Sequence, residues 1–305
     1  LTFALHQAFM HYVLAGSLYV AWATIFPGRG DTPRGEQPLA SVLRDWMPFM
    51  LSAAITAGVA PLLFVQIVYP VHFYTANLLL GWRWMVVIPV LIVGFYLLYV
   101  VKSSSLASWS LPARSAVVVV VALCFLFVGF CWTANHLVSA DEAQWPEIYV
   151  TGQTLLTPHV VALRMLVWIG GAFASLAAIA AWQLEARRRT ADSASVAVQS
   201  RPLAWCGIGG VVVGALAALA YGVSSGQIDL VLQPMAMPYA VLAIIGAIAQ
   251  CGAWFWLLRR GMNVWCLGVA SAGCGLALLG VSVIREVLRL STIDVAPLLK
   301  HHEQA

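Results

Sequence analysis

Histidine is the residue type here best equipped for chemistry, and the seven copies are His6, His11, His72, His136, His159, His301 and His302. A neutral imidazole offers a lone pair to iron, copper or zinc, and its second nitrogen is free to be oriented by a hydrogen bond. The six cysteines lie inside apolar runs with no CxxC and no CxxCH among them. A zinc ribbon and covalent c-type haem attachment are therefore not supported, and the cysteines read as small core residues. Non-covalent haem needs only imidazoles, one from each of two helices across the porphyrin plane. Two pairs suit it, His11 with His72 and His136 with His159, for one or two b haems. Arg164, little more than a turn beyond His159, is placed to meet a propionate. Arg83 is placed to do the same. Trp82, Trp84, Trp132, Trp145 and Trp168 would pack around such a flat apolar group. The plain alternative is that these histidines and tryptophans are interfacial residues, content at headgroup level. His6 is five residues from His11, about 140° around a helix, so the two would not serve one site. His301 and His302 read as a solvated tail.

The elements that must position these residues follow from composition. Of 305 residues 62% are hydrophobic and 9% charged, too few charges to cover a water-soluble surface. Long continuous apolar runs, not alternating ones, indicate helices and exclude a barrel. At roughly 20 apolar residues per crossing, about eight spans are expected, near 3–26, 47–73, 83–102, 114–137, 159–183, 203–223, 237–258 and 263–288. The first run lacks a basic leader and continues past signal length, so it is expected to be a span. Pro48, Pro61, Pro70 and Pro89 predict kinks in the second and third spans.

Orientation follows the basic residues. Arg29, Arg34, Arg44, Lys102, Arg114, Arg187, Arg188, Arg189, Arg201, Arg259 and Arg260, eleven of the 16, fall in loops on one side. The other side has Arg83, Arg285, Arg289 and Lys300, with the acidic run Asp141, Glu142 and Glu147. The expected arrangement is an all-α polytopic bundle in a bacterial inner membrane with both termini outside, and every histidine then lies toward the outer face. The polar stretch 187–202 would be a cytoplasmic loop dividing a five-helix part, 1–186, from a three-helix part, 203–290, with an external tail, 291–305.

No carboxylate sits mid-span, which disfavours proton pumps and cation transporters. Gln66 and Gln250 are explained by helix–helix hydrogen bonds. No Walker loop or Ser/His/Asp arrangement is present, and nothing indicates nucleic acid.

Phe3-Ala4-Leu5 followed by Phe9-Met10-His11 resembles the first helix of subunit I of cytochrome bd quinol oxidases. That resemblance implies a haem-ligating role for His11 near the outer face. The family's quinol-binding loop and glutamate-bearing helix are not found, so oxygen reduction is not implied. Gly58-Val59-Ala60-Pro61-Leu62-Leu63-Phe64-Val65-Gln66 with Phe73-Tyr74-Thr75 looks like polytopic proteins that accompany multihaem c-type cytochromes. Together these give the expectation of a haem b electron-transfer subunit linking the quinone pool to a periplasmic c-type cytochrome, beside other membrane subunits. The alternative is a cofactor-free membrane anchor or assembly subunit. A small-solute transporter is disfavoured.

Overall fold

A computed structural model describes residues 2–26, 37–152, 156–188 and 193–292. Within them the chain is helical, without strands: α1 (Thr2–Ile25), α2 (Pro38–Val68), α3 (Pro70–Leu80), α4 (Trp82–Met85), α5 (Val87–Lys102), α6 (Leu111–Ala140), α7 (Trp145–Thr151), α8 (Pro158–Arg188), α9 (Ser193–Ser224), α10 (Ile228–Val231), α11 (Met237–Arg260) and α12 (Val264–Thr292). Eight of these stretches are long and apolar enough to cross a membrane, with α4 and α5 counting as one. Helices pair most of their backbone amides internally, as a hydrocarbon solvent requires. The molecule is an all-α polytopic bundle. Its exterior carries Leu78, Ile88, Leu216, Ile248 and Trp265 well exposed, as a lipid-facing surface does. Arg29, Arg34, Arg189, Lys300, His301 and His302 lie outside the described residues.

Prolines punctuate the helices in two ways. α2 starts with Pro38 in its first turn, so Arg44, expected in a loop, lies inside the helix. The helix then runs through Pro48 and Pro61 without interruption. At Pro70 it does break: Tyr69 leaves helical geometry and Pro70 opens α3. Pro89 falls in the first turn of α5, where a missing N–H costs nothing. Likewise the polar stretch expected as a loop over 187–202 is largely helix, since α9 begins at Ser193 and includes Pro202.

α1 is the most buried of the spans and packs against α2, α6, α8 and α12. The most extensive pairings are α8 with α9 and α11 with α12. Both rest on glycine. A methyl group on Gly210 would stand 2.7 Å from the Gly170 carbonyl oxygen, and one on Gly273 would stand 2.6 Å from that of Gly246. Backbones approach this closely only where side chains are absent, the usual adhesive between membrane helices. Gln250 adds a hydrogen bond to the Ala174 carbonyl, 2.9 Å, tying α11 to α8.

Gly209 neighbours Gly210 but faces open space. Gly210→Val is therefore expected to cost more than the roughly 1–3 kcal/mol of ordinary overpacking, because fixed backbone is what it meets. Gly209→Val should leave the thermal unfolding midpoint in detergent within a degree or two of wild type. Equal midpoints for the two variants would contradict this packing.

Candidate functional site

The helices alternate in direction, so the amino-terminal end of α1 is flanked by the carboxyl-terminal ends of α2, α6, α9 and α12 and the first turns of α8. The described histidines gather at this end. At the opposite end Arg187 of α8 reaches Asp45 of α2, 3.3 Å, and Arg44 pairs with the same carboxylate.

His11 lies on α1 about 13 Å from the helix start and is almost fully buried. Its Nδ1 is 3.0 Å from Ser175 Oγ. That hydroxyl donates its own proton to the Gly171 carbonyl, 2.8 Å, so it accepts from His11. The proton is thereby fixed at Nδ1 and the lone pair at Nε2. No hydrogen bond from the described residues reaches Nε2. Gly171 faces the imidazole: a methyl there would come to 3.4 Å from Cε1 and 3.9 Å from Nε2. Trp168 meets the same ring edge-on at 6.4 Å. Arg164, Trp168, Gly171 and Ser175 share one face of α8, within about 60° of arc.

His6 behaves similarly on another side of α1, donating from Nδ1 to the Ala54 carbonyl, 2.8 Å, with its ring against Gly58. His72 is elsewhere. Its Nε2 is 2.6 Å from Glu142 Oε1, its ring meets Trp145 at 5.7 Å, and its buried Nδ1 has no partner. His159 is exposed at the start of α8. The structure thus gives His11 and His72 separate partners, and it leaves His159 on the surface while His136 sits inward among charges. Of the tryptophans, Trp168 alone adjoins His11. Trp84 and Trp132 pack on each other at 5.0 Å and on Phe73, and Trp82 lies exposed under Arg83.

His136 accepts a hydrogen bond from Arg289: Nη2 lies 3.5 Å from its Nδ1. Its own proton therefore sits at Nε2. A neutral imidazole that binds metal through Nε2 needs its proton at Nδ1, so this arrangement suits a hydrogen-bond donor better than a ligand. The charges of Arg164, Arg285 and Arg289 all act on the His136 ring. Each guanidinium covers an aromatic ring from a different part of the chain: Arg285 lies 4.4 Å from Phe3, Arg289 5.2 Å from Tyr69 and Arg164 5.2 Å from Tyr221. Arg164 also donates to the Tyr221 hydroxyl, 2.8 Å. Glu286 is the carboxylate in this group, accepting from Arg289 at 3.2 Å and from the Tyr69 hydroxyl at 2.7 Å. Burial and the adjacent Glu286 push the Tyr69 hydroxyl's pKa up, so it keeps its proton and donates.

Arg164 was legible as costly at membrane depth. Arg285 and Arg289 read in the sequence as basic residues of the outer side, and their i, i+4 spacing near the end of a span places both on one face. Ser175 and Tyr221 carried no signal. Among the described residues no cluster of three His, Cys, Asp or Glu side chains has metal-binding geometry. No protein-family model and no curated protein matches the chain.

Glu286→Gln removes the carboxylate from among three cations. Its partial exposure puts the expected loss near the lower end of the roughly 3–5 kcal/mol for a broken buried pair. Adding Arg289→Met should restore part of the lost thermal midpoint. A double variant less stable than Glu286→Gln alone would show that the carboxylate does not serve as the counter-charge.

Proposed function

We propose that the protein is an electron-transfer subunit of a bacterial inner membrane, holding haem b at His11 and passing electrons between the quinone pool and a periplasmic c-type cytochrome. The observation that carries this reading is the His11–Ser175–Gly171 arrangement. A buried imidazole has its Nδ1–H locked by a hydroxyl, its Nε2 lone pair unengaged, and a glycine opposite. Orientation through the second nitrogen is the usual support of a ligating histidine. Trp168 and the apolar faces of α1 and α8 supply flat packing, and Arg164 stands two turns along the same α8 face for a propionate. His72, with Nε2 on Glu142, and exposed His159 do not support a second porphyrin, so the reading is of one haem. The bound haem would supply the one-electron chemistry; the chain's part is ligation, burial and charge.

The basic residues Arg44, Arg187 and their neighbours support a cytoplasmic reading of the opposite end, with the His11 end outside. Exposed Glu142 and Glu147 would then offer a docking face for a basic cytochrome. A cofactor-free anchor is the second reading, favoured by the protein partners that His6, His72 and His136 already have.

Purified chain should give a b-type pyridine haemochrome spectrum at about one haem per chain. His11→Ala should abolish the Soret band and His159→Ala should keep it. Gly171→Leu, which presses on the His11 ring, should lose haem while the helical circular dichroism persists. A haem-free wild-type protein would sink this reading in favour of the anchor.

A further inference from the structure

We propose that Arg164, Arg285, Arg289 and the His136 ring form a binding site for the oxyanion of a membrane amphiphile, a phospholipid phosphate or a haem propionate. Three guanidinium groups converge from α8 and α12, Arg164 and Arg285 about 9–10 Å and Arg289 about 4–5 Å inside the helix ends. Among the described residues they share a single carboxylate, Glu286, which Arg289 and Tyr69 engage. Arg164 and Arg285 form no ion pair with a described carboxylate; a charge so placed is costly, and its retention calls for an anion.

The geometry shows where donors remain. A guanidinium on an aromatic face gives the ring its flat side and keeps its N–H groups in the plane around its edge. Phe3, Tyr69 and Tyr221 lie 4.4, 5.2 and 5.2 Å from the guanidinium carbons of Arg285, Arg289 and Arg164. Arg164 uses one N–H on the Tyr221 hydroxyl, and its Nε is buried without a partner. Arg285 donates to no described residue, and its Nε is likewise buried without a partner. Nε2–H of His136 is a further donor, since Arg289 occupies Nδ1. Tetrahedral phosphate and planar carboxylate both match such an array of charged donors. The surroundings are apolar, so the oxyanion's carrier has a hydrocarbon or porphyrin body.

The site does not need the haem reading, and the experiment separates the two. Full-length protein is purified in detergent, delipidated, and assayed for haem and for phosphorus that survives detergent exchange. Thermal midpoints are then followed as dioleoylphosphatidylglycerol is added to the micelles. In the phospholipid arm, wild type retains about one phosphorus per chain or gains several degrees on titration. Arg164→Gln and Arg285→Gln lose this response, and Arg259→Gln at the other end keeps it. In the propionate arm, wild type carries haem without phosphorus, and the same two variants release haem to apomyoglobin at least tenfold faster. Arg285→Lys, which keeps the charge, guards against mere misfolding by recovering part of either response. A haem-free preparation with the phospholipid response sinks the haem reading and leaves this site standing. Phosphatidylglycerol responses and haem release unchanged in both Gln variants would overturn it.

Discussion

Charge compensation at the amino-terminal end of the bundle constrains everything placed there. Arg164, Arg285 and Arg289 sit where water is scarce, and their attraction to neighbouring groups is correspondingly strong. The chain responds with polarisable faces before carboxylates. Phe3 comes from α1, Tyr69 from the break between α2 and α3, and Tyr221 from α9, each under a different guanidinium. Two arginines on α12 and one on α8 thus tie five segments together at one level. The break at Pro70 acquires a purpose on this view. It releases Tyr69 from α2 so that its ring can lie on Arg289 and its hydroxyl can reach Glu286.

One layer deeper the governing constraint is the burial of a polar ring. An imidazole among apolar side chains must be hydrogen-bonded or it costs several kcal/mol at the upper end of such penalties. α8 satisfies His11 with two residues one turn apart: Gly171 gives its carbonyl to Ser175, and Ser175 gives its oxygen to His11. The same Gly171 leaves the space that the ring occupies, and its neighbour Gly170 admits α9 on the other side. Adjacent glycines on α8 therefore serve opposite partners. Packing of the bundle and the tautomer of His11 depend on the same turn of helix.

Much of the fold was legible because hydropathy reports directly on solvent. The eight spans, the grouping of histidines at one end and the interhelical role of Gln250 follow from residue type along the chain. Pro70 and Pro48 look alike in sequence, yet one breaks the helix and the other is accommodated, a difference that residue type alone does not carry. The candidate site was only half legible. His11 and Arg164 stand out as polar residues in apolar runs. Ser175 does not, since a serine in a membrane helix most often bonds its own backbone, as this one also does. The partner of His72 is not legible in the sequence, because Glu142 lies 70 residues away in the segment after α6. Nor is that of His136, since Arg289 lies 153 residues away.

The two layers together impose a direction on anything bound between them. Cationic donors lie near the end of the bundle, and the unengaged Nε2 of His11 lies deeper, with Arg164 and Gly171 about 10 Å apart on a single face of α8. An amphiphile bound here would hold its anionic edge at the arginines and its apolar body toward the centre. A porphyrin would draw on both layers, with Arg164 for a propionate and His11 for the iron, and Trp168 and Gly171 lie between these two on the same side of the site. A phospholipid satisfies the first layer alone and leaves Nε2 unengaged. The difference lies in the deeper layer, so the imidazole decides between the two ligands while the arginines accept either.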